Sequence, residues 1–402
     1  MNKEIIIHNI ELSKSGKGLS GGEKFLLEFV SNSIKINGFV TNYIYTSSNG
    51  VETYSKMISP KKQIKFELIG KYSIEERFGV IISYIYKSIL CLSKIKSFEK
   101  NKRNVIFTHS EFFPNLIYAY LLKLKNPKAM WIGLNHMMAP NPIKGFKYTF
   151  VKGKYCFPKI NAILYWLSKK LYFIISRKMD LLVTVNPSYK EIFEKYNKTL
   201  LIVYGGVEKA AYKKKKMDEK IYDACFVGRF HEQKGIFDLI EVVEQLKINY
   251  KKDFKLIVVG DYNNKIGKNF KKLCEKKSLA NNIIFAGLKC GKEKDYILNN
   301  SKLFLFPSYY ESFGIVYLEA ISMGVPVIEY DLPIYQMHKK GVIKVEYLNR
   351  LKFAQAIKGV LEDQKMYNKL SIEGIKYSKN FIWAKSAKRI LNKIIWWFND
   401  KA

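Results

Sequence analysis

The chain has 402 residues, 48% of them hydrophobic and 15% aromatic, and a formal charge of +34. That length suits two domains, and that apolar content excludes an intrinsically disordered chain. The charge has two readings: an anionic partner (phosphate ligand, acidic membrane surface or nucleic acid) or a Lys-rich compositional bias.

The five cysteines, Cys91, Cys156, Cys225, Cys274 and Cys290, are scattered and form no C-x-x-C pair, so neither zinc nor a disulfide framework is indicated. A reducing cytoplasm is the simplest home for them. Residues 5–10 form an apolar run too short for a signal peptide and read as a strand. No apolar run approaches ~18 residues, so no transmembrane helix is expected.

The first strand leads into a loop ending in Gly21-Gly22. Phe25, Leu26, Phe29, Val30 and Ile34 then mark one face of a helix that stops at Asn37-Gly38. Strand, Gly-rich loop and helix make a phosphate-binding arrangement, although neither a Walker loop nor a dinucleotide G-x-G-x-x-G occurs. Residues 40–45 and 63–69 read as strands. Residues 74–92 read as a helix that is apolar all round and therefore buried. Residues 105–108 form the next strand, with His109 at its carboxyl end, where α/β sheets line their ligand clefts. Strands at 130–134 and 181–185 complete a β/α alternation, which argues for a Rossmann-like domain over residues 1–205.

Residues 143–178 break that rhythm. They hold nine Lys or Arg, nine aromatics and no acid. Three readings stand: a core helix preceded by a solvated loop, an anionic lipid interface, or a single-stranded nucleic acid site. On the lipid reading, Lys147, Lys152, Lys154 and Lys159 face the membrane or the acceptor, with Phe150, Tyr155 and Phe157 inserting beside them. Lys169, Lys170, Arg177 and Lys178 fall on the polar side of a helix over residues 160–178.

The second domain, 206–382, opens with a strand at 224–227 followed by Gly228-Arg229-Phe230-His231-Glu232-Gln233-Lys234-Gly235 and a helix. Arg229 and Lys234 flank the strand-to-helix turn, where together they can neutralise a diphosphate, while His231 reads as solvent-facing. Residues 303–306 form another strand, and Glu311-Ser312-Phe313-Gly314 is a polar turn into a helix closed by Gly324 and Pro326. Glu311 thus stands at a strand's carboxyl end. The backbone N–H groups of Phe313 and Gly314 open the helix, and Glu319 lies about two turns after Glu311. Capping is the other reading of Glu311. Residues 383–402 form a last, amphipathic helix.

The ensemble E-S-F-G-x4-E-A-x3-G-x-P-V closely resembles the E-x7-E signature of the retaining GT-B glycosyltransferases of the family 4 type. V-G-R-x4-K-G, the Gly21-Gly22 loop, Thr108-His109-Ser110-Glu111 and the hinge-like Tyr204-Gly205-Gly206-Val207-Glu208 resemble further parts of that family. The resemblance implies an α/β, GT-B fold: two Rossmann-like domains facing a central cleft, with residues 383–402 crossing back to the first.

The implied reaction is metal-independent, retaining transfer of a sugar from a UDP- or GDP-sugar to a glycan or lipid-linked acceptor, without a cofactor and at the inner face of a membrane. Arg229, Lys234, His109 and Glu311 would be catalytic. Gly21, Gly22, Gly228, Ser312, Phe313, Gly314 and Glu319 would bind donor. A sugar-nucleotide hydrolase or epimerase on the same fold stays open, as does a basic nucleic-acid- or membrane-binding protein without transferase activity.

Overall fold

The computed structural model describes residues 4–14, 19–71, 73–148, 160–197, 199–208 and 215–400. In chain order its elements are β1 (Ile5–Ile10), α1 (Gly21–Ile36), β2 (Val40–Thr46), α2 (Ser48–Met57), β3 (Ile64–Leu68), α3 (Ser73–Leu92), β4 (Arg103–Thr108), α4 (Phe113–Lys125), β5 (Met130–Asn135), α5 (Gly145–Tyr148), α6 (Ile160–Ser176), β6 (Leu181–Thr184), α7 (Lys190–Glu194) and β7 (Leu200–Ile202). There follow β8 (Tyr222–Val227), α8 (Ile236–Asn249), β9 (Leu256–Val259), α9 (Lys265–Lys276), β10 (Ile283–Gly287), α10 (Gly291–Asn299), β11 (Ser301–Phe306), α11 (Ile315–Ser322), β12 (Val327–Tyr330), β13 (Val342–Val345), α12 (Arg350–Glu362), α13 (Gln364–Ser378) and α14 (Trp383–Asp400).

The chain folds as two compact units. One comprises Met1–Ala139, Ile160–Gly205 and Trp383–Ala402; the other comprises Pro140–Lys159 and Gly206–Ile382. Among the described residues, the first unit has a seven-stranded parallel sheet in the order β3-β2-β1-β4-β5-β6-β7. The second has a six-stranded parallel sheet in the order β10-β9-β8-β11-β12-β13. Strands such as β1, β5 and β6 are buried along their whole length. Parallel strands covered on both faces need near-continuous apolar runs, and that is the pattern here.

In each sheet the chain winds outward from one strand and then returns to wind the other way. The reversal falls between β1 and β4 in the first unit and between β8 and β11 in the second. Ligands of open α/β sheets bind at the carboxyl ends of strands beside such a reversal. The loops after β1 and β4 carry Glu11, His109 and Glu111. The loops after β8 and β11 carry Arg229, Lys234 and Glu311.

α1 begins with a capping box: Glu23 N donates to Ser20 Oγ at 3.3 Å, and Ser20 N donates to the Glu23 carboxylate at 2.6 Å. α14 returns to the first unit. Its Trp383 packs edge-on against Phe25 of α1 at 5.8 Å between ring centroids, and Ser386 Oγ donates to Tyr204 O at 2.7 Å.

The structure departs from the sequence expectations in three places, and one further expectation falls outside the described residues. α3 is not buried all round: Phe78, Ile81, Ile82, Ile85, Ile89 and Leu92 are 40–62% exposed, and Gly79 breaks the helix with φ 82°. Residues 140–148, which the chain order assigns to the first domain, belong to the second unit. There Phe146 packs against His231 and Tyr310, and Lys147 lies over the Tyr309 ring at 5.4 Å. Lys152, Lys154 and Lys159, with Phe150, Tyr155 and Phe157, lie outside the described residues. Finally, Lys169 is not on the polar side of α6. It is buried in an ion pair with Glu111, because that loop carboxylate is itself buried and needs a countercharge.

Candidate active site

In the second unit, two loops are zipped together by their backbones. Tyr309 N donates to Gln233 O at 2.8 Å, and the Gln233 side-chain amide donates to Tyr310 O at 2.7 Å. Gly235 sits at the crossing with φ 62°, and a Cβ there would run into the carbonyl oxygen of Pro307. Only glycine combines that left-handed backbone with that approach. The crossing sets the Lys234 ammonium against Glu311 Oε1, which also accepts from Ser308 Oγ at 3.0 Å. Both side chains are largely buried, so the pair lies in a medium where charge matters more than in water. Arg229, one residue beyond Gly228, is exposed, and its guanidinium is available to an anion.

His231 does not simply face solvent. Its Nδ1 accepts from Gln233 N at 3.1 Å and caps the turn that carries Lys234. This is the N-cap role usually taken by Ser, Thr, Asn or Asp, and so was missed in the sequence.

The second carboxylate, Glu319, is buried on α11 and accepts from Lys294 Nζ of α10 at 2.6 Å. Each of the two sequence-nominated glutamates therefore has its own lysine, Lys234 for Glu311 and Lys294 for Glu319. Lys294 had no motif to mark it; only the fold brings α10 to α11.

A third buried set fixes the loop between the two glutamates. His338 lies between Glu329 and the backbone, Nδ1 at 2.7 Å from Glu329 Oε2 and Nε2 donating to Phe313 O at 2.9 Å. Its ring stacks on Tyr317 at 3.7 Å and on Tyr335 at 4.4 Å. A Cβ on Gly314, whose φ is 74°, would come within 2.9 Å of that ring. Burial raises the Glu329 carboxyl above its usual range, against the pull of His338. A lone glutamate inside the four-residue strand Val327–Tyr330 was the available sequence signal.

In the first unit, His109 is completely buried rather than lining a surface. Asn9 Nδ2 donates to Asn42 Oδ1 at 3.0 Å, which leaves Asn9 Oδ1 to accept from His109 Nε2 at 2.9 Å. Nδ1 is then an acceptor without a hydrogen-bond partner among the described residues. Burial, and then the neighbouring His136, holds this imidazole neutral, well below its usual pKa.

His136, half-buried, donates from Nε2 to His109 O at 2.9 Å. A Cβ on Gly22 would stand 3.0 Å from that nitrogen, so glycine lets the start of α1 close on the ring. Gly21 is the first residue of α1. Glu111 accepts from Tyr165 OH at 2.8 Å and pairs with Lys169 at 3.3 Å. Burial raises the Glu111 carboxyl, but Lys169, His136 and Tyr165 together bring it below its usual range. Glu11 follows β1 and is buried too. Burial pushes it up to about 7, against the hydrogen bonds from Ser13.

Among the described residues no group of three or more His, Cys, Asp or Glu is disposed to hold a metal ion.

The two loops of the second unit lie inside a stretch, residues 207–377, that matches the family described as Glycosyl transferases group 1. The chain is similar to an uncharacterized 41.2 kDa protein in the cps region of Klebsiella pneumoniae, 27% identical over 73% of this chain and 78% of that one. It is also similar to the capsular polysaccharide biosynthesis glycosyltransferase CapH of Staphylococcus aureus, 25% identical over 72% and 78%. Against D-inositol 3-phosphate glycosyltransferase of Corynebacterium diphtheriae, 25% identical, the match spans 41% of this chain and only 40% of that protein.

In fold the chain resembles sucrose-phosphate synthase from Thermosynechococcus elongatus, with TM-score 0.73 at 16% identity over 98% and 99% of the two chains. It also resembles Anabaena Alr3699/HepE, solved with UDP and glucose, with TM-score 0.70 at 12% identity over 98% and 99%. Residues 207–377 thus match the family described as Glycosyl transferases group 1, in a chain whose two Rossmann-like units have the GT-B fold.

Proposed function

We propose that the protein transfers a sugar, with retention of anomeric configuration and without a metal, from a UDP- or GDP-sugar to a glycan or lipid-linked acceptor in polysaccharide or glycolipid synthesis. The observation that carries this reading is the crossing at Gly235. It sets Lys234 beside Glu311 at the reversal of the second sheet, with Arg229 exposed in the same loop after β8 as Lys234.

In this account the bond between the anomeric carbon and the diphosphate breaks while Arg229 and Lys234 take up the charge developing on the departing diphosphate. An ammonium has three donors, so Lys234 can keep Glu311 and still hold a phosphate oxygen. Glu311 contacts the donor sugar. The N–H groups of Phe313 and Gly314, with Ser312 beside them, meet the phosphates at the start of α11. Glu319 turns from Lys294 to the ribose hydroxyls. Gly228 leaves room for the nucleotide next to β8. The acceptor hydroxyl attacks on the face that the leaving group vacates and gives its proton to the departing phosphate.

Gly21 and Gly22 bring the start of α1 to the substrates. His109 supports them from below through His136, because its own ring is fully buried. UDP is the first base to try, since Anabaena HepE was solved with it. The similarity to the capsular polysaccharide glycosyltransferase CapH supports a glycan acceptor. A peripheral position at a membrane remains part of the proposal, and no described helix is long and apolar enough to cross one.

A thermal-shift panel of nucleotide sugars tests the reading. A true donor at 100 times its dissociation constant adds about 2.7 kcal/mol. Release of free sugar with no acceptor present would favour a hydrolase instead.

A further inference from the structure

β3→β4, β4→β5 and β5→β6 all step the same way across the first sheet. Parallel crossovers are right-handed, so α3, α4 and α6 cover one face of that sheet, while α1 and α2, stepping the other way, cover the opposite one. A chain of rings binds the three helices together. Tyr84 of α3 lies 5.7 Å from Phe112, which precedes α4, and Phe112 stacks on Tyr165 of α6 at 5.4 Å.

The outer surface of this layer is unusual in two independent ways. First, it exposes large apolar side chains at helical spacing. On α3 these are Ile81, Ile82, Ile85, Ile89 and Leu92; on α6 they are Ile163, Trp166, Leu167 and Ile174. Monomeric soluble surfaces rarely carry such continuous stripes. Second, beyond Glu75 and Glu76 in the first turn of α3, the sequence of α3 and α6 carries charge of a single sign. No Asp or Glu occurs between Glu76 and Glu99, or between Glu111 and Asp180, although the chain as a whole has 35 acids in 402 residues. Exposed cations border the stripes: Arg77, Lys94, Lys125, Lys170, Arg177 and Lys178. Lys170 reaches over the Trp166 ring at 5.1 Å. A compositional excess of lysine would not by itself remove acids from one face. Apolar stripe, interfacial Trp, flanking cations and absent acids are together the signature of an anionic lipid surface.

We propose that the outer face of α3 and α6 docks the protein on an anionic lipid bilayer. The inference rests on the reading of a membrane-borne acceptor and gives it a surface: these two helices rather than the lysines of residues 147–159. The inner side of α3 ties that surface to the candidate site. Lys87 Nζ donates to Leu12 O at 2.9 Å, and Tyr84 OH donates to Ser13 O at 3.2 Å. These carbonyls belong to the loop after β1, so a docked α3 holds that loop within a helix diameter of the lipid.

The test is cosedimentation of the full chain with vesicles of phosphatidylcholine alone and of phosphatidylcholine mixed with phosphatidylglycerol. The proteins compared are wild type, the triple variant Ile82→Glu/Ile85→Glu/Ile89→Glu, the variant Lys170→Glu/Arg177→Glu, and the control Ile248→Glu, whose residue is 71% exposed on the second unit. Melting temperature and UDP-induced thermal shift report that each variant is folded.

Wild type and control should bind the anionic vesicles, and both helix variants should lose at least about tenfold in partition. Binding by the triple variant equal to wild type would overturn the surface. So would a wild type that binds neither vesicle, or one that is a dimer made monomeric by the triple substitution, because a second copy would then cover the face. Sugar transfer to a lipid extract in detergent separates the two proposals. Transfer without vesicle docking sinks the surface alone; docking through α3 without transfer sinks the lipid acceptor alone.

Discussion

Gly235 meets the carbonyl oxygen of Pro307 at a crossing that leaves no room for a Cβ, and the φ of 62° at Gly235 is one that other residues adopt at a cost. Gly235→Ala therefore adds both backbone strain and a clash with main chain that cannot swing aside. We expect a stability loss of about 2–4 kcal/mol in urea unfolding, together with loss of nucleotide binding, since Lys234 and Glu311 are placed by this crossing. A variant as stable as wild type would show that the loops are not locked here.

The two glutamates should fail differently. Glu319→Ala should weaken binding of the free nucleoside diphosphate, through lost ribose hydrogen bonds worth about 1–3 kcal/mol. Glu311→Ala should spare the free nucleoside diphosphate and impair the intact nucleotide sugar. Calorimetric titration of both ligands against both variants checks this, and equal effects on the two ligands would end the division of roles.

Much of this was legible in the sequence, for identifiable reasons. Arg229, Lys234, Glu311 and Glu319 sit in motifs whose spacing is fixed by one strand, one turn and one helix start, all local structure. His338, Glu329, Lys294 and His136 were missed because their roles depend on which element the fold brings alongside. Lys294 meets Glu319 across 25 residues and His136 meets Gly22 across more than a hundred. The helix at residues 74–92 misled for another reason. An all-apolar helix reads as buried only if something covers it, and one side of α3 is uncovered.

Stability should carry the imprint of Glu11. Its carboxyl is raised in the fold from 4.5 to about 7 by burial, so the folded state holds a proton that the unfolded state has released. Bound protons then favour the fold, and stability falls as pH rises between those two values, becoming flat above about 7. Between pH 5 and pH 8 wild type should lose roughly 2–3 kcal/mol relative to Glu11→Gln, which has no proton to lose. Denaturant unfolding of both proteins at the two pH values gives the difference directly, and parallel behaviour would mean that Glu11 is ionised in the fold.

Transfer should also persist in excess chelator, because on this account lysine, arginine and helix N–H groups neutralise the leaving diphosphate. Loss of activity under chelation, restored by added magnesium or manganese, would assign that charge to a metal instead.

The central claim is that Arg229 and Lys234 hold the diphosphate of a nucleotide sugar. The most direct measurement is calorimetric titration of UDP, GDP and their sugars into wild type and the double variant Arg229→Ala/Lys234→Ala. The account predicts that wild type binds at least one of these nucleotides and that the double variant, still folded by its cooperative thermal transition, binds it at least about 100-fold more weakly, two charge-assisted bonds being lost. Equal affinity in the two proteins, or no binding of any nucleoside diphosphate by wild type, would contradict it.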